Sequence, residues 1–343
     1  MRRFALAVLL AAGLLAGCVN ASLDPPADDA RRAAAGLTHV LPADAAEAIG
    51  FLDSYVMTHP FRLGDTPTQA KARADLEALL TEMGLTVERH QYATGVNILA
   101  FKNGTTRPDE WIVLSAHYDT TESTVYGAWD DGAGTAMLLA LAKSGAQSTF
   151  ERTIVYAFFD EEEQGLLGSA AFVQDMQSRA HLAANLNFDP PGLNWPCRDA
   201  QGFLPVKVIF NQKKTEEGMR GYPELQRAVV EALNATQVPE EVRDFDSGIP
   251  IATLNGVGLR GTSDHASFDK VDVPNVFIGS APTSVAGPAA ALTYLLHTPL
   301  DTRQQMEARC GGADLMKQAF QVEMDVTLHA LRALDAEPML SPG

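Results

Sequence analysis

Residues 153–169 read TIVYAFFDEEEQGLLGS. An apolar run, Thr153 to Phe159, has the length and β-branched and aromatic content of a buried strand. It ends abruptly in four acids, Asp160 to Glu163, and a segment punctuated by Gly165 and Gly168 then enters a helical pattern. Acid runs are usually solvated faces. Here the acids close a core strand, where their mutual repulsion would be relieved by a bound cation.

Outward from this stretch, apolar strands alternate with helices. Strands are expected at 85–90, 95–101, 111–116, 185–188, 206–210 and 273–279, with a turn at Asn103-Gly104. Helices are expected at 43–57, 67–83, 133–143, 169–176 and 222–233, and a long one at 303–333 that Gly311-Gly312 would interrupt. Thr66 followed by Pro67 is a strong helix start. The alternation predicts an α/β fold, a three-layer α/β/α sandwich around a mixed, largely parallel sheet. In such sheets sites form at the carboxyl ends of strands.

Several strand ends carry chemistry. Trp111 to Ala116 runs into His117-Tyr118-Asp119, where i, i+2 spacing puts the imidazole and the carboxylate on one side. Such a carboxylate can fix the tautomer of a ligating histidine, although a plain structural pair reads the same way. Asp130-Asp131 precedes a Gly-flanked helix start, so either residue could be an N-cap. Asn187-Phe188-Asp189 ends another strand, and His297 stands in a loop before the last helix. Two imidazoles and several carboxylates on one sheet edge suit Zn²⁺, with one carboxylate left over as a general base.

The net charge of −17 argues against nucleic acid as a partner and against an anionic membrane surface. At the N-terminus, Arg2 and Arg3 precede an apolar segment, Phe4 to Leu15, too short to span a bilayer. Leu15-Ala16-Gly17-Cys18 follows and resembles the bacterial lipobox. The expectation is a lipoprotein signal peptide over 1–17 and a lipidated Cys18 with a flexible tether over 18–35. A single domain over 36–343 follows, with an elaborated, Pro- and Gly-rich excursion at about 190–259. The chain would then be exported and anchored to a membrane by its lipid alone, facing the periplasm or cell exterior. Cys197 and Cys310 either pair there as a disulfide or remain two buried thiols.

Taken in order, SAHYDT, WDDGAGTAMLLALA, FFDEEEQGLLGS, LNFD, TSDHASF and LHTPLDT resemble the motifs of the co-catalytic dizinc aminopeptidases. That family of bacterial leucyl aminopeptidase-like metallopeptidases includes glutamate carboxypeptidase and glutaminyl cyclase relatives. The resemblance covers roughly 50–335 and implies a zinc-peptidase, phosphorylase/hydrolase-like fold with two Zn²⁺ ions and peptide substrates. It implies that His117 and Asp189 hold one zinc, that Glu163 and His297 hold the other, and that Asp130 bridges them. Glu162 becomes the general base, Asp119 orients His117, and Asp264 and His265 stand close behind the site. The family spacing places the working pair at Glu162-Glu163; a register using Glu161 and Glu162 would misplace Gly165. His39, His59, His90, His181 and His329 lie outside every motif and read as structural or surface residues.

Two departures stand out. Asp189 is followed by Pro190-Pro191, and Leu296 replaces an aromatic that several relatives place before the histidine. The leading expectation is an aminopeptidase. The alternatives are a glutaminyl-cyclase-like transferase with one zinc, a carboxypeptidase of the same family, and a non-enzymatic envelope protein on a peptidase scaffold.

Overall fold

The computed structural model describes residues 38–199, 202–210, 212–215, 218–245, 263–280 and 295–337. The expected signal peptide, Cys18 and the tether lie outside them. Eight helices are described: α1 (Ala45–Ser54), α2 (Pro67–Glu82), α3 (Gly132–Gln147), α4 (Leu167–Met176), α5 (Pro223–Ala235), α6 (His265–Asp269), α7 (Arg303–Cys310) and α8 (Ala313–Ala336). The described strands are β1 (Thr86–Gln91), β2 (Val96–Lys102), β3 (Arg107–His117), β4 (Arg152–Phe159), β5 (His181–Phe188), β6 (Arg198–Asp199), β7 (Gly202–Phe203), β8 (Val206–Phe210), β9 (Gln212–Thr215), β10 (Gly218–Gly221), β11 (Arg243–Phe245) and β12 (Asn275–Ser280).

Eight strands form one mixed sheet in the order β1-β2-β4-β3-β5-β12-β8-β11. Its centre, β4-β3-β5-β12, is parallel, whereas β1, β2 and β8 bring antiparallel pairings. Period-two alternation gives the sheet two buried faces. Ile98, Ala100, Ile112, Leu114 and Ala116 face one core, with α1, α2, α3, α5 and α8. Leu99, Phe101, Trp111, Val113 and Val155 face the other, against Phe172 and Val173 of α4 and Phe268 of α6. The layers therefore match the expected sandwich.

Local chemistry sets the boundaries. Thr66 Oγ accepts from the Gln69 N–H at 3.2 Å and Pro67 opens α2. The first helix is shorter than expected: α1 ends at Ser54, and 56–58 form a separate 3₁₀ turn. Gly311 and Gly312, with φ of 92° and 132°, divide α7 from α8. The stretch at 190–259 adds β8, β11 and α5 to the body of the fold. A disulfide joins Cys197 to Cys310 across 113 residues of sequence.

Candidate metal centre

Three adjacent parallel strands deliver the site. His117 is in register with Phe159, the last residue of β4. Ser115 is in register with Asn187, so Asp189 emerges two residues later, level with His117. A buried polar ladder lies underneath. Asn185 Nδ2 donates to Ser115 Oγ at 2.9 Å, Ser115 Oγ donates to Asn187 Oδ1 at 2.7 Å, and Asn187 Nδ2 donates to Ser263 Oγ at 2.7 Å. Such a connected network holds the strand ends in one arrangement.

The acid run splits. The Asp160 carboxylate turns under the loop, where it accepts from the Val96 N–H at 3.0 Å and the Glu161 N–H at 3.0 Å, as well as from Gln69. The Tyr118 hydroxyl reaches it at 2.8 Å and the Arg73 guanidinium at 3.6 Å. Burial pushes this carboxyl up to about 6. Glu161 has φ of 55°, and its side chain bonds Thr94. That left-handed residue turns the backbone, so the N–H groups of Glu162 and Glu163 donate to the Asp119 carboxylate at 3.2 and 3.3 Å. Gly165, at φ of 109°, returns the chain and donates to the Glu162 carbonyl at 2.9 Å. Glu162 and Glu163 stand among the convergent donors with His117, and Glu161 does not join them.

Asp130 occupies the middle. Its Oδ1 lies 3.2 Å from His117 Nε2 and its Oδ2 lies 3.2 Å from His297 Nε2. His117 Nε2 is also 3.5 Å from Asp189 Oδ1, and His297 Nε2 is 3.1 Å from Glu163 Oε2. On its other side, His117 Nδ1 meets Asp119 Oδ1 at 3.2 Å. Donor atoms of His117, Asp130 and Asp189 lie within 4.8 Å of one another, as do those of Asp130, Glu163 and His297. His297 is 49% exposed at its side chain, whereas His117 is buried, so the second group is the one open to solvent. Asp131 turns away. It caps α3 by accepting from the Gly134 N–H at 2.9 Å, and it also faces the His117 N–H at 3.3 Å.

Charge is concentrated here. Burial drives the Glu162 carboxyl well above the usual carboxylate range, reinforced by Asp189, Asp264 and Glu163. Burial, then Asp130, pushes Glu163 up to about 7. Burial raises Asp189 as well. Against the cost of burial, the imidazoles of His117 and His297 hold Asp130 below its ordinary range. Hydrogen bonds to Asp130 and Glu163 lift His297 to about 10. Carboxylates crowded in this way are what a multivalent cation relieves. Two imidazoles and three carboxylates, one of them facing both imidazoles, are a donor set suited to zinc chemistry.

Asp264 and His265, at the start of α6, are buried, and the Asp264 oxygens and His265 Nδ1 have no hydrogen-bond partner among the described residues. His265 packs edge-on to Phe277. The unmotifed histidines stay out of the centre: His59 pairs with Asp75 at 2.8 Å, His90 with Asp175 at 3.0 Å, and His181 is exposed. Two supporting residues, Arg62 and Ser280, carried no readable sequence signal, and a third, Asp301, falls within the LHTPLDT stretch with no role legible for it there. Arg62 is fully buried and donates to the carbonyls of Tyr118, Tyr126, Gly127 and His59. Ser280 bonds both Trp129 Nε1 and the Pro190 carbonyl. Asp301 accepts from the Trp129 and Asp130 N–H groups at 2.6 and 3.0 Å.

Fold and donor set define the class: an α/β protein with a buried imidazole–carboxylate centre at the carboxyl edge of its sheet. The chain belongs to peptidase family M28, whose model matches residues 97–313, more than half of the sequence. It is 28% identical over 199 residues to a glutamate carboxypeptidase 2 homolog of Caenorhabditis elegans, an alignment that covers 50% of this chain and 22% of that protein. Among solved structures it resembles BSAP, a zinc aminopeptidase from Bacillus subtilis (TM-score 0.63, 15% identity, 84% of this chain and 95% of that one). It resembles Porphyromonas gingivalis glutaminyl cyclase to a similar degree (TM-score 0.62, 19% identity, 84% and 98%). At these identities the structural likeness is one of fold.

Proposed function

We propose that this chain is a zinc-dependent exopeptidase, an aminopeptidase that removes N-terminal residues from peptides. The observation that carries the reading is the position of Asp130, with one carboxylate oxygen facing His117 and the other facing His297. His117 and Asp189 would hold one zinc ion, Glu163 and His297 a second, with Asp130 shared between them. Zinc there supplies a Lewis acid for the scissile carbonyl and makes water a usable nucleophile near neutrality. Glu162 accepts the proton of the attacking water and delivers it to the leaving amine as the C–N bond breaks, which returns the carboxylate to its starting state. Burial raises its carboxyl above the usual carboxylate range, the direction that makes it a stronger proton acceptor once ionised. Asp119 holds His117 in one tautomer and, through two backbone N–H groups, sets the height of Glu162.

Glutaminyl cyclases share this fold, so fold alone does not choose the reaction. The complete donor set favours hydrolysis. A peptide-library digest with zinc-loaded protein, read by mass spectrometry, tests the choice. Stepwise loss of N-terminal residues is expected. Loss from the C-terminus, or loss of ammonia from N-terminal Gln, would replace the reading with a carboxypeptidase or a cyclase.

The exported, lipid-anchored setting belongs to the same proposal. The Leu15-Ala16-Gly17-Cys18 sequence supports it, as does a disulfide of the kind kept in oxidising compartments. No described helix is long and apolar enough to cross a membrane. Fatty-acid labelling of the full chain in cells should mark the wild type and not Cys18→Ser; equal labelling would remove the anchor from the account.

A further inference from the structure

We propose that Asp301 is the positioning residue that sets the separation between Asp130 and His297, an assignment that rests on the two-ion reading of the site. Asp301 is fully buried, and its carboxylate is spent on backbone. Oδ1 accepts from the Trp129 N–H at 2.6 Å and Oδ2 from the Asp130 N–H at 3.0 Å, while its main-chain carbonyl accepts from the Ala128 N–H at 3.4 Å. One residue therefore grips three successive amides of the segment that carries the shared carboxylate.

Asp301 also closes the turn that carries His297. Its N–H donates to the Thr298 carbonyl at 3.1 Å, and the Thr298 N–H donates to the Leu295 carbonyl at 3.1 Å. Thr302 then caps α7 by accepting from the Gln305 N–H at 3.3 Å, so the turn is fixed to a helix on its far side. His297 has φ of 54°, a backbone state that a non-glycine residue keeps only where its surroundings enforce it. The opposite end of the same loop pair is closed by Ser123, whose Oγ donates to the His297 carbonyl at 2.8 Å. The two segments are 167 residues apart in sequence at Asp130 and His297, yet their side chains meet at 3.2 Å. Asp301 is the group that binds one to the other beside that meeting point. The Asp189 side of the site depends on it only through Asp130, because Asp189 and His117 are set by the register of β3 and β5.

The assignment makes an unequal demand on the two ions. Asp130 and His297 both depend on Asp301 for their relative position, so the ion they share with Glu163 should suffer first. Zinc affinities of wild type and Asp301→Asn are to be measured by chelator competition, alongside melting of each protein in EDTA. Asn keeps the size but cannot accept both N–H groups. One zinc should bind at least tenfold more weakly, with the other changed by less than threefold and the metal-free melting temperature close to that of wild type. Unchanged affinities would overturn the assignment. So would an equal loss at both ions together with a lower metal-free melting temperature, which marks a general folding role. Should Asp301→Asn not fold, Asp301→Glu, which keeps both acceptors one methylene further out, is read by the same criteria. If wild type holds only one zinc, the two-ion reading fails on its own; Asp301 is then judged on that ion, and unchanged affinity overturns it.

Discussion

The carboxylate of Asp119 stands 3.2 Å from Nδ1 of His117, on the side of the imidazole away from Asp130 and Asp189. Under the proposed zinc reading, Nδ1 would carry its proton toward Asp119 and Nε2 would be the nitrogen left to ligate the metal. Asp119→Asn should leave the fold intact but weaken zinc binding at His117 by about 10–100-fold, the usual cost of losing such a partner. Chelator competition at neutral pH measures it.

The acid run makes a sharper forecast. Glu162 and Glu161 are adjacent, yet only Glu162 joins His117 and Glu163, while Glu161 is bonded to Thr94. Glu162→Gln should lower kcat on an amino-acid anilide by at least about 100-fold, the scale of general-base loss. Zinc content should be unchanged. Glu161→Gln should alter kcat by less than about threefold. An equal loss in both variants would return the base to an open question.

Glu323 of α8 is fully buried, accepts from the Gly192 N–H at 2.7 Å, and is pushed by that burial up to about 8. Its folded value lies above its unfolded one, so its contribution is complete below about pH 4.5 and declines as pH rises through 8. Glu323→Gln, which is neutral throughout, should gain on wild type as pH rises from 5 to 8. Urea melts across that range follow the difference; a constant gap would show that Glu323 does not titrate with folding.

Removing the Cys197–Cys310 link should also register in stability. The bond closes a long loop, and cross-links of this kind contribute about 2–4 kcal/mol. The double variant Cys197→Ser/Cys310→Ser should therefore unfold at lower urea than the oxidised wild type. It should match the reduced wild type.

Much of the architecture was legible because each central strand carries its own signal. Runs such as Trp111 to Ala116 and Thr153 to Phe159 are apolar enough to declare burial on both faces, and the glycines at 311 and 312 marked the helix break. Part of the metal-centre candidate set was legible for a related reason: His117, the Glu162-Glu163 pair and Asp189 stand at or just past the ends of those strands, whereas Asp130 and His297 lie in loops. What the sequence hid are groups whose partners lie far away along the chain. Arg62 acts on carbonyls at 118, 126 and 127, Asp301 on amides at 129 and 130, and Asn187 on Ser263. Arg62 has no periodicity or local spacing to give it away, and Asp301 and Asn187, although they fall within the LHTPLDT and LNFD stretches, show nothing locally of these distant partners. Asp160 was hidden differently. It sits beside the catalytic candidates in sequence, but its carboxylate points under the loop, and only the left-handed backbone at Glu161 separates the two roles.

The parallel trio β4-β3-β5 acts as a ruler. Neighbouring strands stand about 4.8 Å apart, a pitch set by backbone hydrogen bonds and indifferent to side chains. His117, the Glu162–Glu163 pair and Asp189 hang from three consecutive marks on it. The separation of His117 and Asp189 is thereby set by strand register and not by the loops that follow. A scaffold graduated in this way holds His117 and Asp189 at a distance fixed by backbone alone, while Glu163, Asp130 and His297 owe their places to loop contacts with Asp119, Asp301 and Ser123.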